Sequence, residues 1–536
     1  MKNLTTKDLK VKFLGITPFL EDKTGNLDAQ ETVAFSALIT FKGTSVQSLL
    51  KEVVDKGQDV NEKIKNILRK SSLKGHASMA TTPVICFSYE ASKFLDSAIT
   101  GIIFSSSLMA SGRRTDTTIK DIVYPSTISK NKKAKEIYRK ASDKNIIFFN
   151  SLLNEEVQKD EASKILQYGI YGTGIVQLPI ESIVSLKKEY EECKEWMPEE
   201  IGLLLKEIEK ELKKYGVDLL YTTRIVAPRN TYPYPHIFRN PEMPNIVRDL
   251  SKKKKTKKLF EIISSNFVLT EGLKRKLREL KKEIQKVLKN KKTLKKEWLN
   301  LLSLRSQIAR DYANALNIKI LSSVAWRVWG DKKRHRTVPM VVDSVYYSVQ
   351  RAAEVFKKYK KQIKEKKLKK ETLDNINLVF SIPPTVRANK ELLYSYLERC
   401  LDSLEVYNQL ISLGVKERDA IFIIPRGLKL DVLQEYNLYN LIAGYYPLRI
   451  CSSAEEELRK ISVKEVGDIK NLLKKKGYSW LAEHIVPKCH VVGFCLEEES
   501  CGMVKTLSPN YDEKFHEEMK RDLEDKFQKN LNNLGK

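Results

Sequence analysis

Residues 112–124 (GRRTDTTIKDIVY) can be laid over residues 334–346 (RHRTVPMVVDSVY) without gaps, and five of the thirteen positions agree. The shared pairs are Arg114 with Arg336, Thr115 with Thr337, Asp121 with Asp343, Val123 with Val345 and Tyr124 with Tyr346. Each segment follows a helix-like stretch rich in small and apolar residues. Downstream, residues 165–192 and 421–457 both run from a Gly-containing apolar stretch into a helix ending in charge. A repeat of this kind constrains the fold to two related modules, and 536 residues exceed what one hydrophobic core organises.

Between the modules, residues 229–244 (RNTYPYPHIFRNPEMP) carry prolines that cannot continue a helix, and a lysine-rich stretch follows. Residues 241–300 hold 19 Lys and Arg against 7 Asp and Glu, over a third of the net charge of +28. A second run, residues 356–371, has nine lysines against two glutamates. Charge concentrated in lysine-rich helices reads first as a solvated face, with a nucleic-acid groove as the alternative. The expected organisation is a module over 1–240, a lysine-rich helical insertion over 241–316, a second module over 317–508 and a charged helical tail over 509–536.

Periodicity predicts helices over residues 45–70, 133–150, 199–215, 273–316, 342–370, 389–413, 433–445 and 455–476. Strands are expected over 11–17, 31–41, 82–89, 175–178 and 378–382, the first two pairing around the turn-forming residues 22–26. The fold class is α+β. No segment holds the ~18 to 20 apolar residues needed to span a bilayer. Seven cysteines in a chain of this length do not make a secreted disulfide framework, so a cytoplasmic protein is expected.

Arg334, His335 and Arg336, with Ser344 after seven residues, place two guanidiniums, an imidazole and a hydroxyl in eleven positions of a chain with six histidines. Guanidiniums grip phosphate bidentately and histidine titrates near neutrality, so the set suits an anionic ligand beside a proton-transfer or redox centre. The competing reading is a helix cap or a solvated cluster, with Ser344 bonded only to the preceding turn. Cys489, Cys495 and Cys501 recur at intervals of six, with His490 or Cys451 as a fourth ligand for structural zinc; buried thiols or a redox pair are the alternatives. There is no Gly-x-Gly-x-x-Gly and no P-loop signature.

Arg334-His335-Arg336 with Ser344 resembles the signature of the flavin-dependent thymidylate synthases, Arg-His-Arg, seven residues, Ser, one residue, Arg; Tyr346 stands at the last place. The downstream order is similar too. Pro425 leads a strand, Tyr436 and Asn437 open a helix, Leu448 and Arg449 close it, and residues 454–459 (AEEELR) follow. Cys489, Cys495, Glu498, Cys501 and Gly502 resemble a cysteine-containing terminus found in part of that family. The first module resembles it through Gly75-His76, Phe87 and a helix expected over 90–106. Thr81-Thr82 replaces the family's Glu-His, Gly112-Arg113-Arg114 replaces Arg-His-Arg, and Ile122 replaces the serine.

The resemblance implies two tandem modules, each a mixed sheet with flanking helices, assembling as a dimer of tandem chains. It also implies FAD, dUMP, methylenetetrahydrofolate and NADPH as ligands. Arg334 and Arg336 would contact flavin or nucleotide phosphate, His335 the flavin, Ser344 the nucleotide, and Arg449 dUMP. A non-catalytic scaffold of the same fold and a nucleic-acid-binding protein are the competing functions.

Overall fold

The computed structural model describes residues 4–17, 20–22, 25–74, 76–102, 104–110, 115–227, 236–253, 258–497, 500–506 and 512–534. Gly75, Gly112, Arg113, Arg114, Glu498 and residues 229–235 of the proline-rich stretch therefore lie outside the described residues. The α+β class is as expected. Two units interleave along the chain: the first is built from residues 1–245, 325–334 and 342–430, the second from 246–324, 335–341 and 431–536.

In the first unit Val84–Ser92 alternates half-buried and buried positions and pairs antiparallel with Lys10–Thr17 on one side and Tyr171–Pro179 on the other. Ser106–Met109 completes the four-stranded sheet. The expected pairing of 11–17 with 31–41 does not occur, because Ala29–Lys42 is a helix. Asp28 accepts from Glu31 N at 2.8 Å and Glu31 accepts from Asp28 N at 2.9 Å, a capping box that fixes the helix start. Gly43, at φ +62°, ends it in the left-handed conformation. Likewise the helix expected over 90–106 is strand to Ser92, then a seven-residue helix, Lys93–Ile99.

A series of elements recurs in this chain at fixed spacing. Ser126–Lys130, Lys132–Asn154, Lys159–Ala162, Ser163–Ile165 and Tyr171–Pro179 have the same lengths as Pro384–Ala388, Lys390–Ser412, Glu417–Ala420, Ile421–Ile423 and Lys429–Asn437. Each start is displaced by the separation of Asn145 and Ser403, 258 residues. Both long helices are capped by asparagine, Asn131 accepting from Ala134 N and Asn389 from Glu391 N, each at 3.0 Å.

Contacts within the first unit exchange under the same displacement. Gly169 N donates to Phe422 O at 3.2 Å, and Gly427 N to Lys164 O at 2.8 Å. Thr127 N donates to Asp419 at 3.1 Å, and Thr385 N to Glu161 at 3.3 Å. Asn145 Nδ2 meets its own counterpart, Ser403 Oγ, at 3.1 Å, and Gln167 bridges Pro425. Reciprocal pairs around self-paired residues are the mark of a local twofold axis. A Cβ at Gly169 would collide with the hydroxyl of Tyr138, and one at Gly427 would press on that of Tyr396, so glycine is required at both equivalent places.

The second unit has a four-stranded sheet in the order Met340–Val342, Lys429–Asn437, Leu316–Ala325, Phe260–Phe267. The lysine-rich stretch, expected to be helical, supplies its edge strand as well as the helices Glu271–Leu288 and Lys291–Asp311. Leu273, Leu277, Leu280 and Ile308 pack into one core with Ile318, Tyr436, Leu441 and Ile469. The helix expected over 433–445 is strand as far as Asn437; only Leu438–Ile442 is helical, and Asn437 caps it. The strand expected over 378–382 reduces to one bridge, Phe380 to Leu428. The tail forms the helix Glu513–Asn533, docked by buried Phe515 and Met519 against Trp298 and Phe494. Among the described residues no helix is long and apolar enough to cross a membrane.

Candidate functional site

The Arg-His-Arg run is shared between the units: Arg334 belongs to the first, His335 and Arg336 to the second, and Ser344 to the first. In the second unit Arg449, half-buried, donates from Nε to His335 Nε2 at 2.8 Å and also from Nη2. An accepting Nε2 requires the neutral imidazole with its proton on Nδ1. Tyr445 meets the ring edge-on, 4.9 Å between centroids at 80°. Tyr445 in turn packs on Tyr436 and Tyr446, each 5.1 Å away. Tyr446 donates to buried Glu465 at 3.1 Å, and Ser322 donates to the same carboxylate at 2.8 Å.

Asn440, fully buried, fixes the residue after Arg336. Its Nδ2 donates to Thr337 O and its Oδ1 accepts from Thr337 Oγ1, both at 2.9 Å, while Asn437 Oδ1 holds Asn440 from behind at 3.0 Å. His335 O accepts from Val338 N at 3.0 Å, closing the turn that presents Arg336. Partial burial holds the Arg336 guanidinium below its ordinary pKa although the side chain is exposed by area; the exposure is the better guide to ligand access. Sequence reasoning singled out His335, Arg336 and Arg449, and the structure adds Asn440 and Tyr445 as their neighbours. The only signal for Asn440 was the Asn-x-x-Asn spacing from Asn437 at a helix start.

The structure joins His335 with Arg449, and it uses Ser344 and Tyr346 elsewhere. Ser344, buried, opens the helix Val345–Lys364 and donates its hydroxyl to Arg239 O at 2.7 Å, not to its preceding turn. Tyr346, fully buried in the first unit, donates to Trp196 O and packs on the Trp196 ring, 5.0 Å between centroids. Glu456 pairs with Arg459 and Lys460.

The cysteines gather within the second unit. Burial pushes the Cys489 thiol up to about 11, with the thiols of Cys495, Cys451 and Cys501 adding to the shift. Cys501 is lowered by a hydrogen bond from Ser452. No three of these Sγ atoms lie within 4.8 Å of one another, so a metal would have to draw them together. Among the described residues the one group with tighter spacing is Glu189, Cys193 and His236, where His236 Nε2 lies 3.0 Å from Glu189.

Residues 315–473, which span His335, Arg449 and Asn440, match the family described as thymidylate synthase complementing protein. A flavin-dependent thymidylate synthase of Pyrococcus furiosus is 26% identical over 132 residues, 24% of this chain and 51% of that protein. Through this region the chain is similar to the flavin-dependent thymidylate synthases. The family's enzyme from Aeropyrum pernix is 35% identical over 83 residues, covering 16% of this chain and 26% of its own length. The chain spans about half the length of the first curated relatives it matches. Among solved structures, thymidylate synthase X of Helicobacter pylori with FAD and dUMP aligns at a TM-score of 0.30 and 13% identity, over 40% of this chain and 99% of that one.

Proposed function

We propose that the chain is a divergent flavin-dependent thymidylate synthase, built from two tandem modules, in which His335, Arg336 and Arg449 serve FAD and dUMP. The observation that carries this reading is the His335–Arg449 bond within the family-matched region. Arg449 gives two of its five N–H donors to His335 and keeps the rest, and Arg336 adds a second guanidinium. Such a pair suits the pyrophosphate of FAD or the phosphate of dUMP. Arg334 and Ser344 would complete the phosphate and nucleotide contacts that the resemblance implies.

Bound FAD, reduced by NADPH, would supply the hydride that completes transfer of the one-carbon unit from methylenetetrahydrofolate to the uracil ring. The protein's part is positional. Arg449 fixes the His335 tautomer and directs Nδ1–H away from itself, Tyr445 sets the ring plane, and the Asn440 staple holds the turn that carries Arg336. The repeated element series supports the tandem reading, under which two chains would supply four modules as a homo-oligomer.

A second reading, a non-catalytic nucleotide-binding scaffold, is favoured by the engagement of Ser344 with Arg239 O and the burial of Tyr346. The test is release of tritium from C5-labelled dUMP on incubation with FAD, NADPH and methylenetetrahydrofolate, since substitution at C5 must expel that atom. Release that is lost in Arg449→Ala supports the enzyme. Flavin binding without release supports the scaffold.

A further inference from the structure

The first unit holds a convergence of metal-ligating side chains that the reading above does not use. Glu189 lies in the last turn of the helix Ile180–Glu192, and Cys193 caps it. Four residues apart, the two share one face of the helix, and Cys193 N donates to Glu189 O at 2.9 Å. His236 reaches them across 47 positions of the chain and sets its Nε2 3.0 Å from Glu189 Oε2. One donor atom from each of the three lies within 4.8 Å of the other two. His236 is buried, which fixes the imidazole, while Glu189 and Cys193 are half-buried and accessible to an ion from solvent.

A histidine bonded to a carboxylate needs no metal. That contact alone does not account for a thiol converging on the same two donors. Ligand atoms around tetrahedral zinc, bound at ~2.0 to 2.3 Å, stand roughly 3.3 to 3.8 Å apart, so shifts of about 1 Å would close the set. One nitrogen, one sulfur and one oxygen suit zinc, whereas magnesium and calcium take oxygen ligands. Thiolate and carboxylate together match the charge of a divalent ion, and the carbonyl end of a helix favours a cation.

Both arms of the group also bond to the start of the helix Val345–Lys364, which belongs to the same unit. Ile237 O accepts from Val345 N at 2.9 Å, and Arg239 O accepts from the Ser344 hydroxyl at 2.7 Å. On the other arm Trp196 N donates to Cys193 O at 2.8 Å, and Trp196 O accepts from the Tyr346 hydroxyl. An ion bridging Cys193 and His236 would join the two segments that hold Ser344 and Tyr346.

We propose that Glu189, Cys193 and His236 bind a zinc ion, with water in the fourth position, and that the ion locks these two segments together. Cys193 binds as the thiolate, its proton passing to solvent. The inference does not depend on flavin or nucleotide binding, so its test contains neither. Full-length protein carrying Cys489→Ser and Cys501→Ser serves as the parent, which sets aside zinc bound by the cysteines of the second unit. After chelator treatment, zinc is titrated in competition with a chromophoric chelator.

The parent is expected to bind one zinc per chain. Adding Cys193→Ser or Glu189→Gln should weaken binding tenfold or more, because each removes a direct ligand. Zinc should raise the melting temperature of the parent and not of these variants, as a ligand of the folded state alone requires. In the parent itself zinc should shield Cys193 from iodoacetamide, read by mass spectrometry of its tryptic peptide. If the parent binds no zinc, if Cys193 alkylates at an unchanged rate with zinc present, or if a folded Cys193→Ser or Glu189→Gln protein binds zinc as tightly as the parent, the proposal is overturned.

Discussion

Glu200 shows what a single buried carboxyl does to this protein's pH response. It accepts from Ser92 N at 2.9 Å and from the Ser92 hydroxyl, yet burial still pushes it from 4.5 up to about 7. The folded chain therefore holds a proton between those values that the unfolded chain has released. Its contribution to stability is complete below about pH 4.5 and is lost as pH rises through 7, on the order of 3 kcal/mol in all. Denaturant titrations across that window should show the decline, and Glu200→Gln should remove it and be the more stable protein at pH 8. Asn440→Ala, which strands Thr337 O and Oγ1, should cost about 1 to 3 kcal/mol by the same measurement and weaken flavin binding. At this scale the sequence exposed chemistry but not partnership. Arg449 and His335 stood out by residue type, but their contact spans 114 positions. Nothing local to Ser344 revealed that Arg239 O would accept its hydrogen bond.

The elements show where periodicity misleads. Lys429–Asn437 is buried on both faces over most of its length, so it lacks the alternation of a half-buried strand and reads as a helix. The opposite error fell on Ala29–Lys42, where consecutive Val33, Ala34 and Phe35 are all buried and no polar stripe marks a helix. Its capping box, Asp28 with Glu31, was the legible signal that outweighed them. Long capped helices such as Lys132–Asn154 and Lys390–Ser412 were legible to within a few residues because stripe and cap agree. The segment over 489–501 gives a test of its own. Cys501, exposed and lowered, should alkylate first with iodoacetamide, and Cys489, raised to about 11, far more slowly. Mass spectrometry of tryptic peptides reads the order; zinc, if it draws the thiols together, should protect all four.

At the scale of the whole molecule, the recurring series of elements is clearer in element lengths than in residues. Its sequence trace, five matches in thirteen, covers a segment outside the best-matched series. The constant spacing of 258 residues emerges only when element lengths and reciprocal contacts are set side by side. The helices Val345–Lys364 and Lys370–Asn377, which fall between Ser344 and Pro384, have no counterpart between Ile122 and Ser126, which is why one ungapped register could not run through both segments. The units also interleave, so no linker composition could announce them. If the copies are structurally equivalent, Tyr138→Phe and Tyr396→Phe, each removing a buried hydroxyl bonded to backbone carbonyl, should destabilise by similar amounts, about 1 kcal/mol each in denaturant titration.

The central claim is that His335, Arg336 and Arg449 form a flavin and nucleotide site, and an FAD titration followed by visible absorbance tests it most directly on wild type and Arg336→Ala. The account predicts saturable yellow binding by wild type, with affinity lost roughly tenfold or more in the variant, whose exposed side chain can be removed without disturbing the fold. Equal binding by the two proteins, or wild type that stays colourless after FAD addition and desalting, would contradict it.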